Sequence, residues 1–257
     1  MRIAMYTDSF HPFSSGVTTA VIATANMLAA GGHHVFIQAP SPKNPVDLSF
    51  LHKNITVHFV RSVDIVIYPD FRLGTSIPLF LKEVRAFQPD IIHVHSPGSV
   101  GLEGTLVAKR LKLPCVQTFH TYIMDADILK LFKMRNEKIG QVFEQGGWKA
   151  LNAMSHFYMA TFAPSEFVKT DLLEHNHPIR IVVTPNVLPE HAIAPPLKTR
   201  RKPKKFIYVA RQSHEKRIDL ILRAFAQLLQ KDPDLELHLI GNGPAQAELF
   251  ELSLHLG

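Results

Sequence analysis

MRIAMYTDSFHPFSSGVTTAVIATANMLAAGGHHVFIQA, residues Met1 to Ala39, decides the fold class. A short apolar run, Ile3–Tyr6, gives way to a polar loop containing Gly16. A helical stretch, Thr18–Ala30, follows and is stopped by glycine, and a second apolar run occupies Val35–Ala39. Strand, crossover helix and strand in that order form the repeating unit of a parallel sheet covered by helices. The alternation continues, predicting strands at Thr56–Phe59, Ile91–His95, Cys115–Phe119, Met159–Ala163 and Ile181–Thr184. Helices are predicted near Ile77–Phe87, Gly101–Lys112 and Glu166–His175. Together these elements make a complete doubly wound α/β domain over residues 1–187.

Residues 188–205 differ in character. They are rich in proline and contain Lys198-Thr-Arg-Arg-Lys-Pro-Lys-Lys205, six basic residues with no acid. The chain carries 28 Lys and Arg against 22 Asp and Glu, so the Lys198–Lys205 cluster matches the whole net charge of +6. A solvated connection between domains accounts for it, and a nucleic-acid site is not expected. The alternation then restarts at 206–257 with a strand Phe206–Ala210, a helix Ile218–Gln230, a strand Leu235–Ile240 and a helix from Ala245. Two parallel strands do not make a stable sheet by themselves, so this second α/β domain is read as incomplete. The single cysteine, Cys115, rules out an internal disulfide and a thiolate metal cluster. No uncharged apolar run reaches the roughly 18 residues needed to cross a bilayer, and the first residues are too polar for a secretory signal. A cytoplasmic protein is the expectation.

In open parallel sheets ligands bind beyond the carboxyl ends of the strands, where strand order reverses. The loops that follow strands therefore hold the candidates. Gly16 precedes a helix, where backbone amides and the helix dipole favour an anion. His93 and His95 share one face of a strand; the pair has metal-ligand spacing, but no acid or cysteine completes a site. His120 falls at the mouth of the expected crevice, where an imidazole can hydrogen-bond a sugar hydroxyl. In the second domain Arg211 follows a strand and Lys216 precedes a helix, a spacing that lets two cations meet a diphosphate. Gly241-Asn-Gly-Pro244 supplies a second glycine turn.

Several separated motifs carry a resemblance in their order: Met1-Arg-Ile-Ala-Met-Tyr-Thr-Asp8 with Gly16-Val17, Ile92-His-Val-His-Ser-Pro-Gly98, Pro114-Cys-Val-Gln-Thr-Phe-His-Thr121, Pro185-Asn186, Arg211-Gln-Ser-His-Glu-Lys216 and Gly241-Asn-Gly-Pro244. The chain resembles family-4 retaining glycosyltransferases of the GT-B fold, in particular the bacterial members that glycosylate diacylglycerol. The resemblance implies two Rossmann-like domains, the first for the acceptor and the second for the nucleotide-sugar. It implies transfer of a hexose from a UDP-glucose or GDP-mannose type donor to a hydroxyl acceptor, a membrane lipid first, with retention of configuration and without cofactor or metal.

By position, the resemblance gives Gly16, Asn186, Arg211, Lys216, Gly241 and Gly243 to donor binding. His120, Arg211 and Lys216 take the catalytic roles, while Asp8 and His95 line the cleft. The family's Glu-x7-Glu motif does not appear in the second domain, so the chain reads as truncated at its carboxyl end. The stretch holding Lys130, Phe132, Lys133 and Arg135, continued to Trp148, has the mixed aromatic and basic character of a segment lying on an anionic membrane surface. Peripheral attachment at the inner face of the cytoplasmic membrane follows from that reading. Two alternatives stand beside it: an inactive fragment that only binds nucleotide or a partner, and a sugar-nucleotide epimerase or phosphorylase of similar architecture.

Overall fold

The computed structural model describes residues 1–64, 72–75, 81–120, 137–188 and 204–257. The chain divides into two compact units, Met1–Asp125 with Lys138–Ala194, and Ala126–Glu137 with Pro195–Gly257.

The first unit is built on a seven-stranded sheet. Its strands are β1 (Arg2–Tyr6), β2 (His34–Pro40), β3 (Ile55–Val60), β6 (Ile91–Val94), β7 (Cys115–Thr118), β8 (Thr161–Ala163) and β9 (Ile181–Val183). They lie in the order β3-β2-β1-β6-β7-β8-β9, and every neighbouring pair is parallel. The order runs outward in both directions from β1 and β6, so the strand order reverses between these two. A short antiparallel pair, β4 (Ser62–Asp64) with β5 (Arg72–Gly74), was not foreseen. Ser62-Val-Asp64 and Arg72-Leu-Gly74 each hold one large apolar side chain, so neither stands out as an apolar run.

The helices of this unit are α1 (Gly16–Ala30), α2 (Leu81–Phe87), α3 (Ser99–Leu111), α4 (Glu137–Ser155) and α5 (Glu166–Glu174). The Ile77–Phe87 expectation is met from Leu81 onward, its first four residues lying outside the described ones. The period of two along β1 sorts its side chains into two cores. Ile3 and Met5 join Val21, Ala25 and Ala29 of α1, whereas Ala4 and Tyr6 join Val100, Val107 and Ala108 of α3. Burial on both faces is why these strands read as continuous apolar runs. A third cluster places Phe119, Leu151, Ala163 and Leu172 together, with Trp148 packed against them.

The second unit pairs β10 (Lys205–Val209) with β11 (Glu236–Ile240) in parallel. Helices α6 (Ile218–Leu229) and α7 (Gln246–Leu256) accompany them. Its core is small: Ile218, Ala245 and Leu249, backed by Tyr208, Leu222 and Leu239. On β10, Ile207 and Val209 are 65% and 71% exposed, and Ile240 beside them on β11 is 52% exposed. This is the bare face left by a sheet of two strands. The linker 189–203 lies outside the described residues. Of its basic cluster, Lys204 pairs with Asp234 and Lys205 with Glu236 at the start of the sheet, so β10 begins one residue ahead of the expected boundary. Among the described residues no helix is long and apolar enough to cross a membrane.

Candidate functional site

The loops after β1, β6 and β7 meet where the strand order reverses. The first loop is stitched internally by hydroxyls. Thr7 Oγ1 donates to the Ser9 carbonyl at 2.9 Å. Ser9 Oγ lies 2.9 Å from both Ser15 Oγ and Thr18 Oγ1. Ser15 then caps α1 by accepting from the Thr18 amide at 3.1 Å, the serine-first start signal of a helix. Gly16 opens the helix on the exposed side, and nothing lies within 4 Å of where a Cβ would stand. The anion-binding role expected of Gly16 rests on its place at the start of this helix.

Asp8 does different work from the cleft-lining role expected of it. It is 5% exposed, and its carboxylate accepts from the Val100 amide at 2.9 Å, the Gly101 amide at 3.2 Å, Ser96 Oγ at 2.8 Å and Ser99 Oγ at 3.3 Å. Val100 and Gly101 lie in the first turn of α3, so Asp8 caps a helix that begins about ninety residues later in the chain. Neither Gly98 at the head of α3 nor Gly101 in its first turn can be larger. A Cβ on Gly98 would stand 2.5 Å from the Asp8 carboxyl carbon, and one on Gly101 would overlap the Ser96 carbonyl oxygen. Burial raises the Asp8 pKa above the usual carboxylate range, against the pull of these hydrogen bonds. The cleft assignment is corrected accordingly: a ligand would have to displace two backbone amides to reach this carboxylate.

The histidines assemble on the opposite face from α3. His93 pairs in register with Met5 and Val116, and the period of two then puts His93, His95, Thr118 and His120 on the same side. The His93 and His95 rings stand 3.9 Å apart. His93 Nε2 and Thr118 Oγ1 are 2.7 Å apart, and His95 Nδ1 is 3.0 Å from His120 Nε2. The row is thus two hydrogen-bonded pairs joined by a ring contact, and no group of three candidate metal ligands occurs among the described residues. Burial holds the imidazoles neutral. His93 is lowered to about 3, with the nearby His120 adding to the effect; His95 is held well below its ordinary value; and His120 is lowered to about 4. His120 is the partly exposed member and ends the row. Sequence reasoning placed His120 at the crevice but missed Thr118 and the link from His95, which only strand register reveals. Asn186 lies exposed after β9.

In the second unit the loops after β10 and β11 clasp each other. The Gln212 amide donates to the Asn242 carbonyl at 2.9 Å, and the Ala245 amide to the Gln212 carbonyl at 2.9 Å. A Cβ on Gly241 would overlap the Ala210 carbonyl oxygen, and one on Gly243 the Gln212 carbonyl oxygen; Gly241 also has φ of +133°. Both glycines thus serve loop closure directly, with any ligand contact left to the backbone. Arg211 and Lys216 are exposed on the same loop. Lys216 ends a short 3-10 turn, His214–Lys216, just before α6.

Of the membrane-facing residues expected, Lys130, Phe132, Lys133 and Arg135 lie outside the described ones. Trp148 lies on α4. Its ring stacks on His175 at 3.9 Å and on Phe119 at 6.2 Å, packed against the third core cluster.

A model of Glycosyltransferase Family 4 matches residues 14–191, and one of Glycosyl transferases group 1 matches residues 190–257. An alpha-monoglucosyldiacylglycerol synthase of Streptococcus pneumoniae is 26% identical over 272 residues, spanning 100% of this chain and 59% of the relative. A GDP-mannose-dependent alpha-mannosyltransferase of Mycolicibacterium smegmatis is 28% identical over 179 residues, spanning 69% of this chain and 46% of the relative. The chain therefore spans less than two-thirds of the length of these relatives. The crystal structure of a glycosyltransferase from Rickettsia africae matches with a TM-score of 0.60 at 18% identity, covering 99% of this chain and 65% of that one. That likeness is one of fold, the GT-B fold class of α/β units.

Proposed function

From the premise that this chain belongs to glycosyltransferase family 4, we propose that the protein transfers a hexose from a nucleotide-sugar to a hydroxyl acceptor, first a membrane lipid of the diacylglycerol type. The observation that carries this reading is the succession of the two family matches, residues 14–191 and then 190–257, along one chain. The GDP-mannose-dependent mannosyltransferase named above makes GDP-mannose one donor to try, and UDP-glucose, the donor type implied by the sequence resemblance, is the other.

In this reading each unit supplies its own groups. The second offers Arg211 and Lys216 to the diphosphate, where negative charge builds as the bond to the sugar breaks. Fixed cations in place of a metal make the reaction metal-independent. The first offers the open amides beside Gly16 and the neutral imidazole of His120, which hydrogen-bonds the sugar. With the leaving phosphate taking the acceptor's proton on the same face, configuration is retained.

The test is to incubate the protein with labelled UDP-glucose or GDP-mannose and vesicles containing diacylglycerol. Products are separated by chromatography, and the anomeric configuration is read by NMR. An α-glycolipid formed equally well in EDTA is the expected result. Conversion of the nucleotide-sugar into its epimer without lipid product overturns the transferase reading, and binding without any turnover leaves only the binding fragment.

A further inference from the structure

We propose that His95 is a positioning residue that sets the tautomer of His120, keeping His120 Nε2 bare and Nδ1 protonated, so that His120 meets a sugar hydroxyl as an N–H donor. The tautomer follows from geometry alone; its catalytic meaning rests on the transferase reading above.

The bond between His95 Nδ1 and His120 Nε2 is 3.0 Å long, with the ring planes within 15° of each other. Two neutral imidazoles share such a bond in one of two ways. Either His95 donates from Nδ1, or His120 donates from Nε2. The choice is made at the far side of the His95 ring. His95 is 1% exposed, and its Nε2 is buried without a hydrogen-bond partner among the described residues. If His120 were the donor, His95 would have to carry its own proton on that Nε2, leaving a buried N–H with nothing to accept it. If His95 donates, Nε2 keeps only a lone pair. Orphaned buried N–H groups are rarer than under-satisfied acceptors, so the proton of His95 sits on Nδ1 and His120 accepts. Neutral His120 must then carry its proton on Nδ1.

The surroundings hold this arrangement in place. The His95 amide donates to the Tyr6 carbonyl at 2.8 Å, and its ring lies against that of His93, which is itself anchored to Thr118. A free side-chain imidazole in water carries its proton mainly on Nε2. The proposal therefore assigns His120 the tautomer it would not choose unaided, and an orienting partner on the other ring nitrogen is the usual means of doing so.

The experiment labels the histidine nitrogens of the whole chain and records long-range proton–nitrogen correlations at neutral pH, with the His120 signals identified by their loss in H120N. The wild type is expected to show Nδ1 protonated and Nε2 bare. In H95L the pattern inverts to Nε2–H. In H95N, whose side-chain amide stands where Nδ1 does, the wild-type pattern returns. A wild-type His120 protonated on Nε2 overturns the proposal without recourse to any variant, as does an unchanged tautomer in folded H95L. Where sugar transfer is measured, H95L lowers kcat on the order of tenfold and H95N restores it; equal kcat in wild type and H95L overturns the positioning role. Absence of transfer from the wild type counts against the transferase reading and leaves the tautomer result standing.

Discussion

Replacing Asp8 by alanine separates a structural carboxylate from a ligand-binding one. The substitution leaves the Val100 and Gly101 amides of α3 without their acceptor at 2.9 and 3.2 Å. Each orphaned buried donor costs about 1–3 kcal/mol, and loss of an N-cap acceptor costs about 1 kcal/mol when measured by itself. Relief from burying a carboxylate, the same effect that raises the Asp8 pKa, offsets part of this. A net loss of about 3 kcal/mol follows, which lowers the thermal midpoint of a unit of this size by about 10 °C. Circular dichroism melts and urea unfolding at neutral pH read it directly. Asp8→Asn keeps one acceptor and should lose less. It also removes a pH dependence of known sign. Because the native pKa is raised, the native state binds the proton more tightly than the unfolded chain, and stability from this group declines as pH rises through the native pKa. An Asp8→Ala protein with a midpoint within about 0.5 kcal/mol of wild type, yet without affinity for nucleotide-sugar, would refute the capping argument and return Asp8 to the binding site.

Gly241→Ala should destabilise the second unit by about 2 kcal/mol or more, since it adds a Cβ against the Ala210 carbonyl at a φ of +133°; faster amide exchange in β10 and β11 with no change in β1 is the expected signature. Acid should unfold the first unit with more than one proton taken up. His93 near 3, with His120 and His177 near 4, bind protons only weakly when folded. Stability is therefore full above about pH 6.5 and is lost as pH falls toward those values, and urea midpoints from pH 7 to 4 measure the slope. Arg211→Ala and Lys216→Ala should each lower the rate of sugar transfer by on the order of a hundredfold while leaving the unfolding midpoint of the first unit unchanged. A variant with full activity would remove that cation from the diphosphate.

Most of the sheet was legible without coordinates, because strands buried on both faces write themselves as apolar runs and crossover helices stop at glycine, as α1 does at Gly31. Observed strand ends differ from the predicted ones mainly by one or two residues, as at Arg2–Tyr6 and Ile91–Val94. The restart at β10 and the glycine turn at 241–243 were equally plain. What the sequence left open is pairwise. That Asp8 caps α3, that Gly98 must stay small to admit that carboxylate, that Trp148 stacks on His175, and that His95 grips His120 all depend on groups far apart in the chain. Periodicity reports which face of an element is apolar, but it carries no information about which element lies opposite. Hydrogen bonds of this kind act only within about 3 Å, so the choice passes to the sheet order and register that bring β1, β6 and β7 side by side.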